Sequence, residues 1–570
     1  MKRKTLLTAV LALAMTASTV QFAGCSWFAD YDDPVAMEQE YQLYVSYKQA
    51  QGQMPLSYKE WLATINSEEK DTNFGGDSSS SDRYQGSLEP GFWTDLAATA
   101  SGSTGGNGPD YSGDVQINGD PTAAVAYDGS AVTITFYHTM GKNLQDVLNA
   151  WIPEFNKLYP NITVEHGSKG GYPDLRDQIT TELQGGNAPH IAYCYPDHVA
   201  MYRKAGAVAA LDDYIASTKT VTKNDGTTEQ MGLTQDQANG FVRAYYEEGR
   251  AYGDGKMYTL PYSKSNEVLY YNKTFFEAND LKVPTTWDEM ETVMQQIIEI
   301  DPNCVPLGYD SEENWFITMT EQLGTPYTSA VQGEKFLFDV DANRAFVERL
   351  RAWYQLGLVT TCETYGAYTS DLFTQTDPTK LKAYMCIASS AGASYQCPAP
   401  VNNANNGVVY PFEVGVALPP QINSENPKVI SQGPSLCMFK KANKQEMAAT
   451  WLFMKFLTTT MGLQANFSSV SGYAPVIADL GTKFPVYATV LAAADCNANL
   501  QASCIKQCIM QESAMFVSPA FIGSSGARDK VGELIQNCFV NQPEVGQSEA
   551  DFVKANFTSI VEKLRYDYGA

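Results

Sequence analysis

The residue types best suited to metal binding and redox chemistry are spread thinly along this 570-residue chain. Ten cysteines follow Cys25, and none of them shows the paired Cys-x-x-Cys spacing that zinc sites commonly use. Only four histidines are present, so a histidine-rich metal site has little material. We therefore expect no metal and no cofactor. In an exported chain the even number of remaining cysteines permits disulfides, whose connectivity the sequence leaves open.

Motifs for catalysis are missing as well. The sequence contains no Gly-x-Ser-x-Gly elbow, no His-Glu-x-x-His motif and no Gly-x-x-x-x-Gly-Lys phosphate loop. A secreted glycosidase would need two facing carboxylates, but 64 acidic residues supply many pairs and single out none. We expect that the protein is not an enzyme. The formal net charge of −25 opposes nucleic-acid phosphates, so we expect no nucleic-acid partner.

The first 25 residues have the pattern of an export signal. Lys2, Arg3 and Lys4 give a positive start, and the apolar stretch that follows is too short for a convincing membrane span. The small residues before Cys25 resemble the lipobox of bacterial lipoproteins, in which the cysteine carries a lipid. This resemblance implies a signal peptide over residues 1–24. It also implies a lipid anchor on Cys25 that holds the protein at the extracellular face of the membrane.

Residues 25–130 differ in composition from the rest of the chain. Residues 71–104 are rich in Gly, Ser and Asp, and a second run of this kind ends at Gly129. Such segments bury too little apolar surface to offset the entropy of ordering, which predicts a flexible tether. Residues 38–65 interrupt it with apolar residues at helical spacing, which predicts an island of two short helices.

From residue 131 onwards, strand and helix patterns alternate. Residues 132–137 and 161–165 have strand composition, and residues 143–158 between them place apolar side chains at helical spacing. This alternation predicts an α/β fold in which helices cover both faces of a parallel sheet. The body is too long for one ordinary hydrophobic core, so we expect two lobes.

Six short motifs along the body occur in the order typical of one family. They are FYHTMG at 136–141, WIPEFNKLYP at 151–160, QGGNAPHI at 184–191, LPY at 260–262, LYYNK at 269–273 and PTTWDEM at 284–290. Together they resemble the extracellular solute-binding proteins of ABC importers, within the branch that binds oligosaccharides and glycerol-3-phosphate. The resemblance spans residues 131–568.

This resemblance implies a two-lobed fold of the periplasmic-binding-protein type, with discontinuous lobes that close by a hinge over a ligand. One lobe is expected at residues 131–264 and 432–475, and the other at residues 265–431 and 476–570. Clefts of this kind lie at the C-terminal ends of parallel strands. The implied partners are a small solute and the permease subunits of an ABC importer.

The same resemblance assigns aromatic and acidic residues to the cleft. Tyr172 and Tyr473 match ligand-contacting tyrosines, and Trp315 matches a tryptophan that stacks on the ligand. Glu312 stands where relatives carry a second aromatic residue, which implies a changed ligand. Asp197 lies near the position at which relatives carry an acidic residue that binds ligand hydroxyls. A carboxylate suits this role because it accepts two hydrogen bonds at once.

Small residues and one arginine complete the predicted site. Ser265 in the crossing loop, together with Ser389, Ser390 and Gly433, is expected to offer hydroxyls or backbone amides to the ligand. Arg528 lies near the position at which phosphate-binding relatives use an arginine. A guanidinium group binds phosphate through two hydrogen bonds.

The expected ligand is a carbohydrate, because aromatic rings cover the apolar CH face of a sugar. Arg528 keeps glycerol-3-phosphate, or a related solute derived from a phosphodiester, as the alternative. A surface adhesin that uses the island at residues 38–65 is a further alternative, against which the long α/β body argues.

Overall fold

The computed structural model describes residues 88–100, 113–330, 333–403, 407–478, 480–492 and 495–569. The predicted signal peptide, Cys25 and the island at residues 38–65 lie outside these residues. Within them, helices and strands alternate along the body, as the sequence predicts.

The described helices range from single turns to rods of five turns or more. In chain order they are α1 (Phe92–Ala100), α2 (Lys142–Leu158), α3 (Tyr172–Gly185), α4 (Pro196–Lys204), α5 (Asp212–Ala216), α6 (Gln235–Asn239), α7 (Arg243–Glu248), α8 (Lys273–Ala278), α9 (Trp287–Ile300), α10 (Glu312–Leu323), α11 (Asp341–Gln355), α12 (Cys362–Tyr365), α13 (Ser370–Phe373), α14 (Lys444–Thr459), α15 (Met461–Ser471), α16 (Leu480–Lys483), α17 (Pro485–Leu491), α18 (Leu500–Met510), α19 (Ser524–Val540) and α20 (Glu549–Tyr568).

The strands are short and form two principal sheets and two small hairpins. In chain order they are β1 (Val132–His138), β2 (Ile162–Ser168), β3 (Ile191–Cys194), β4 (Thr220–Thr222), β5 (Thr228–Gln230), β6 (Thr259–Pro261), β7 (Ser265–Asn272), β8 (Leu307–Tyr309), β9 (Val359–Thr361), β10 (Met385–Ser389), β11 (Val401–Asn403), β12 (Gly407–Val409), β13 (Val414–Ala417), β14 (Val429–Gln432), β15 (Ser435–Met438) and β16 (Met515–Phe516).

The first sheet has the strand order β2-β1-β3-β15-β6. β1 runs parallel to both β2 and β3, as predicted, with Phe136 opposite His166 on one side and Ile191 on the other. β15 runs antiparallel to β3 and β6, so the sheet is mixed and the prediction of a parallel sheet is wrong here. The reason is connectivity, because β15 arrives from the second sheet and not through a crossover helix.

The second sheet has the strand order β16-β14-β7-β10-β8-β9, and β13 also pairs with β7. The chain passes from β6 of the first sheet to β7 of the second through residues 262–264, and it returns from β14 to β15 through residues 433–434. Each lobe is therefore discontinuous in sequence. The lobe limits given above, at residues 264, 431 and 475, stay a prediction.

Each sheet supports its own hydrophobic core. Helix α9 shows how the sequence builds the second core. The side chain of Thr286 accepts a hydrogen bond from the backbone N–H of Glu289 and caps the helix, and Glu289 binds back to the cap. Met290, Met294 and Ile297 follow at helical spacing and are buried.

Helix α1 is packed into the second core, so the flexible tether predicted over residues 25–130 does not include this helix. The indole N–H groups of Trp93 and Trp353 both donate to the buried carboxylate of Glu291, over 3.1 and 2.7 Å. Asp288 accepts from the backbone N–H of Trp93 over 3.1 Å. Arg349 forms an ion pair with Glu291 at 2.7 Å. A few apolar side chains thus anchor a stretch whose average composition is that of a linker.

Residues 113–130 are also packed, in this case against the first lobe. Val115 and Tyr127 belong to the core of the first sheet. The backbone N–H of Val115 donates to Asn239 over 2.9 Å, and that of Asp120 donates to Asp213 over 2.9 Å. Both described parts of residues 25–130 therefore belong to the folded body. None of the described helices is both long enough and apolar enough to span a bilayer.

We predict that Trp93→Ala lowers the free energy of unfolding by about 3–5 kcal/mol, because it leaves a cavity and removes a hydrogen bond to buried Glu291. Urea unfolding followed by circular dichroism measures the change. Asp95→Ala, on the exposed face of the same helix, is the matched control and should stay within about 0.5 kcal/mol of the unchanged protein. Equal stability of the two variants would contradict the packed position of α1.

Candidate functional site

A cavity of about 200 Å³ lies where the two lobes face each other. The first turns of α3 and α4, which follow strands β2 and β3, form one wall. Residues 517–520 and the first turns of α19 form the opposite wall, and the end of β14 together with Gly433 of the crossing closes the end of the cavity. The position at the carboxyl ends of parallel strands is the one that α/β folds commonly use for ligands.

Four buried polar groups in the cavity wall have no hydrogen-bond partner among the described residues. They are the hydroxyls of Tyr327, Ser431 and Ser518 and the side-chain amide nitrogen of Gln432. A buried polar group without a partner costs about 1–3 kcal/mol, so such groups are rare in cores and common at binding sites. Their convergence on one cavity marks a site for a ligand rich in hydrogen-bonding groups.

Arg528 places a guanidinium group in the second-lobe wall. It is on the first turns of α19, donates a hydrogen bond to the side-chain oxygen of Asn314 and lies 3.8 Å from Glu313. Burial opposes its charge, but Glu313 and Asp197 outweigh that effect and raise the pKa of Arg528 above its ordinary value. Its side chain stays 31% exposed and lines the cavity, so the charged fork remains available to a ligand.

Asp197 and Arg176 face α19 from the first lobe. Asp197 lies in the first turn of α4, and Arg176 is one turn along α3 from Tyr172. Burial, followed by the nearby Asp197 carboxylate, raises the pKa of Asp529 on the opposite wall. The cavity therefore holds two arginines and three carboxylates, those of Asp197, Glu248 and Asp529, so it can bind an anionic group and hydroxyl donors in the same ligand.

Tyr172 forms the centre of an aromatic cluster at the first-lobe wall. Its ring packs edge-on against Tyr195 with centroids 4.6 Å apart. Burial, followed by the neighbouring phenols of Tyr473 and Tyr195, raises the pKa of Tyr172 well above its ordinary value. Tyr473 stacks on Phe467 and lies behind this wall, not among the lining residues. The cluster is neutral at physiological pH and presents hydroxyls together with ring faces.

Gly433 lines the cavity in a conformation that only glycine adopts readily, with a φ of 91°. A Cβ atom here would collide with the backbone oxygen of Ser263. The crossing from β14 to β15 can therefore approach the first crossing closely. Of the nine predicted ligand contacts, Tyr172, Asp197, Gly433 and Arg528 line this cavity.

The predicted serines lie elsewhere. Ser265 and Ser390 are buried. The hydroxyl of Ser390 accepts from the backbone N–H of Asn266 over 3.4 Å, and the hydroxyl of Ser389 accepts from that of Ala391 over 3.2 Å. The hydroxyls of Ser389 and Ser390 thus order the loop after β10. None of the three serines lines the cavity. Their type and loop context match those of ligand contacts, which is why the sequence alone misplaced them.

Trp315 is the clearest correction, because it belongs to the second core and is fully buried. Its ring stacks on Tyr309 with centroids 4.5 Å apart and an interplanar angle of 11°. Trp287 and Trp353 pack against it with centroids 6.2 and 6.1 Å away. The prediction that Trp315 stacks on the ligand is wrong in this structure, since protein rings occupy the surroundings of its indole.

Several lining residues were not predicted. Arg176 could have been found, because it follows Tyr172 by four residues and so shares its helix face. Gln432 precedes the predicted Gly433, and Tyr195 lies two residues before Asp197. Tyr327 and Ser518 come from irregular segments without a sequence pattern, and only the folded chain brings them to the cavity.

A histidine pair supports the first-lobe wall from behind. The Nδ1 atom of His138 accepts from the backbone N–H of Met140 over 3.2 Å, so its Nε2 atom carries the proton and donates to His166 over 2.9 Å. His166 in turn bonds to Asn149 over 3.1 Å. Burial, followed by His166 and Lys169, lowers the pKa of His138 to about 3. The His138 ring is therefore neutral, and burial also lowers the pKa of His166.

Metal-binding groups are not brought together in the described part of the chain. It contains no cluster of three or more His, Cys, Asp or Glu side chains that could hold an ion. No disulfide joins any two of the ten cysteines after Cys25 in the described structure.

Two α/β lobes joined by repeated crossings, with a polar cavity between them, define a solute-binding protein of the periplasmic type. Residues 150–488 match the profile of the family described as bacterial extracellular solute-binding protein. The match covers more than half of the chain, so the chain belongs to that family. The predicted family is confirmed, as is the prediction that the protein is not an enzyme, because these proteins bind solutes.

Curated relatives resemble the chain at low identity. The sn-glycerol-3-phosphate-binding periplasmic protein UgpB of Rhizobium meliloti (strain 1021) is 25% identical over 366 residues, which cover 62% of this chain and 77% of that protein. The protein of the same name from Agrobacterium fabrum is 24% identical over 360 residues, which cover 61% and 74%.

Solved structures confirm the two-lobed fold. The cyclic alpha-maltosyl-1,6-maltose binding protein from Arthrobacter globiformis superposes with a TM-score of 0.57 at 16% identity, over 77% of this chain and all of that one. UgpB from Mycobacterium tuberculosis, in complex with glycerophosphocholine, gives a TM-score of 0.56 at 14% identity over 77% and 100%.

We predict that Trp315→Ala lowers the free energy of unfolding by about 3–5 kcal/mol, because it empties the centre of an aromatic core. Thermal and urea unfolding measure this loss. Tyr395→Ala removes an aromatic ring that is 75% exposed, and it should change stability by less than about 0.5 kcal/mol. A Trp315→Ala variant of full stability that no longer binds ligand would show that the indole faces the cleft after all.

A second prediction concerns pH. Because the pKa of His138 is lowered from 6.5 to about 3, the unfolded chain takes up this proton first on acidification. The stability that this group contributes is complete above pH 6.5 and is lost as the pH falls toward 3. In NMR titrations between pH 8 and 5, the His138 imidazole should keep its neutral signal, assigned with a His138→Asn variant. A midpoint near 6.5 would refute the buried, neutral state of His138.

Proposed function

We propose that this protein captures a small phosphate ester of a polyol, of the glycerol-3-phosphate type, and delivers it to an ABC importer. Arg528 carries the proposal, because its guanidinium lines the cavity and is held in place by Asn314 and Glu313. A fixed guanidinium binds phosphate through two parallel hydrogen bonds. A sugar without phosphate would not need a second cation, and Arg176 supplies one from the opposite wall.

Helix ends support an anion at the same place. The first residues of α4 and α19 line the cavity from opposite walls, and the N-cap residue of neither helix makes a side-chain capping bond, although Asp197 accepts from the backbone N–H of His198 in the first turn of α4 over 2.9 Å. Uncapped N-termini present backbone N–H groups and the positive end of the helix dipole. With Arg528 on α19, they favour a ligand group of negative charge.

The remaining wall suits a short polyol. A volume of about 200 Å³ is below the range of roughly 300–1,000 Å³ typical of sites for drug-sized ligands, which favours a ligand of few atoms. Hydroxyls of such a ligand can donate to Asp197, while Tyr327, Ser431, Gln432 and Ser518 supply the other hydrogen bonds. The proposal thus uses every unpartnered polar group named above.

Carbohydrate is the second candidate, and the relatives leave both open. UgpB proteins are named for glycerol-3-phosphate, whereas other structural neighbours are described as binding maltose-type sugars. In the sequence, Trp315, Tyr172 and Tyr473 together favour a sugar. With that indole in the core, the argument from stacking loses its main residue, and phosphate becomes the preferred feature of the ligand.

Closure and location complete the proposal. The lobes are expected to close over the solute by bending at the crossings, because ligand contacts from both walls are made together only in the closed form. The protein is proposed to sit at the outer face of the membrane through a lipid on Cys25 and to meet permease subunits there. Cys25 and the rest of the predicted tether before residue 88 lie outside the described residues.

Isothermal titration with glycerol-3-phosphate, glycerol and maltose tests the ligand. We expect binding of glycerol-3-phosphate, with Arg528→Gln weakening it about 10- to 100-fold, which corresponds to a lost charged hydrogen bond of about 1.5–3 kcal/mol. Arg528→Lys keeps the charge but loses the fork, so an intermediate affinity is expected.

Arg565→Gln is the matched control, because Arg565 pairs with Glu334 on the surface, away from the cavity. It should leave every affinity unchanged. Tighter binding of maltose than of glycerol-3-phosphate, with no effect of Arg528→Gln, would replace the phosphate ester by a sugar.

A further inference from the structure

A lysine lies buried at the first crossing between the lobes. Lys264 stands between β6 and β7, and its side chain is fully buried. Its backbone oxygen accepts from the N–H of Ala474 over 2.6 Å, which ties in a third chain segment. A buried ammonium is costly unless it is paired, so the partners of Lys264 define its role.

The ammonium of Lys264 has two acceptors in the described structure. It forms an ion pair with Glu248, whose side chain is only 2% exposed, and it donates to the backbone oxygen of Gly433 over 3.0 Å. The same carboxylate oxygen of Glu248 accepts from the hydroxyl of Ser435 over 3.0 Å. The pair is thus a closed network between the end of α7 and the two crossings.

This network adjoins the ligand cavity. Glu248 and Gly433, the two acceptors of the lysine, both line the cavity, whereas Lys264 itself does not. A carboxylate in the wall of a small, poorly hydrated site repels an anionic ligand strongly, because Coulomb interactions are weakly screened there. The lysine removes this repulsion from behind the wall.

We propose that Lys264 is a specificity-determining positioning residue, which neutralises Glu248 so that the cavity accepts an anion. The inference rests on the proposed function, because neutralising Glu248 affects binding only when the ligand is charged. It also explains why a lysine, and not a neutral hydrogen-bond donor, occupies a fully buried position. A neutral donor would satisfy the carboxylate oxygen but leave its charge.

Three variants separate charge from structure. Lys264→Met leaves the carboxylate of Glu248 without its cation, Glu248→Gln leaves the ammonium without its anion, and the double variant removes both charges. Each is titrated with glycerol-3-phosphate and with glycerol as the uncharged probe. Circular dichroism and thermal unfolding report separately whether each variant is folded.

The expected pattern depends on the sign of the charge. Lys264→Met should bind glycerol-3-phosphate about tenfold or more weakly, Glu248→Gln should bind it at least as tightly as the unchanged protein, and the double variant should return to within about threefold. For glycerol, which carries no charge, the affinities of the two single variants should lie within about threefold of each other, because any loss through the shared wall affects both alike. A role in structure alone predicts instead that both single variants weaken both probes.

The outcomes distinguish this inference from the proposed function. If the unchanged protein binds no glycerol-3-phosphate, the proposed function is overturned, and this inference with it. If it binds the ester and both single variants weaken it alike, only the role of Lys264 is overturned. Should Lys264→Met fail to fold, the Glu248→Gln variant decides alone, because weaker binding of the ester by that variant contradicts the proposal.

Discussion

The buried ion pair of Lys264 and Glu248 is the interaction on which the region between the lobes depends, because it ties together the two crossings between the principal sheets and the segment at Ala474. The lysine carbonyl binds the segment at Ala474, its ammonium binds the carbonyl of Gly433, and Glu248 anchors the pair to the first lobe. Because a buried charge is stable only with its partner, these segments have to keep their mutual register.

The polarity of the cavity follows from the same crossings. Gly433 lets the second crossing approach Ser263 closely, and this leaves the neighbouring Ser431 and Gln432 in the end wall of the cavity. Strand ends supply the other polar groups, since the helices after β2 and β3 begin at the cavity and present their N-termini there. The backbone geometry therefore defines the position of the site, and polar side chains line it.

Much of the fold could be predicted from the sequence, because regular elements leave periodic patterns. The helix predicted at residues 143–158 is observed at Lys142–Leu158, and the strand predicted at 132–137 is observed at Val132–His138. The tether was predicted too long because composition is an average. Trp93, with its hydrogen bond to Glu291, anchors a helix within a stretch that otherwise reads as a linker. The antiparallel β15 could not be foreseen, since strand direction depends on which sheet the chain has just left.

The site was only partly predictable, and the reason is that residue type does not define the direction of a side chain. Tyr172, Asp197, Gly433 and Arg528 line the cavity, and their contact with a ligand stays a prediction, whereas Trp315 turns its ring into the core, where Tyr309 stacks on it. This difference changes the argument about the ligand. Trp315 cannot stack on a ligand, whereas the guanidinium of Arg528 lines the cavity. The interactions available to a phosphate group are therefore stronger than those available to the face of a sugar ring. The cavity is small, and its wall carries two arginines and three carboxylates, so the pairing of Glu248 with buried Lys264 compensates one of the negative charges that an added anion would face.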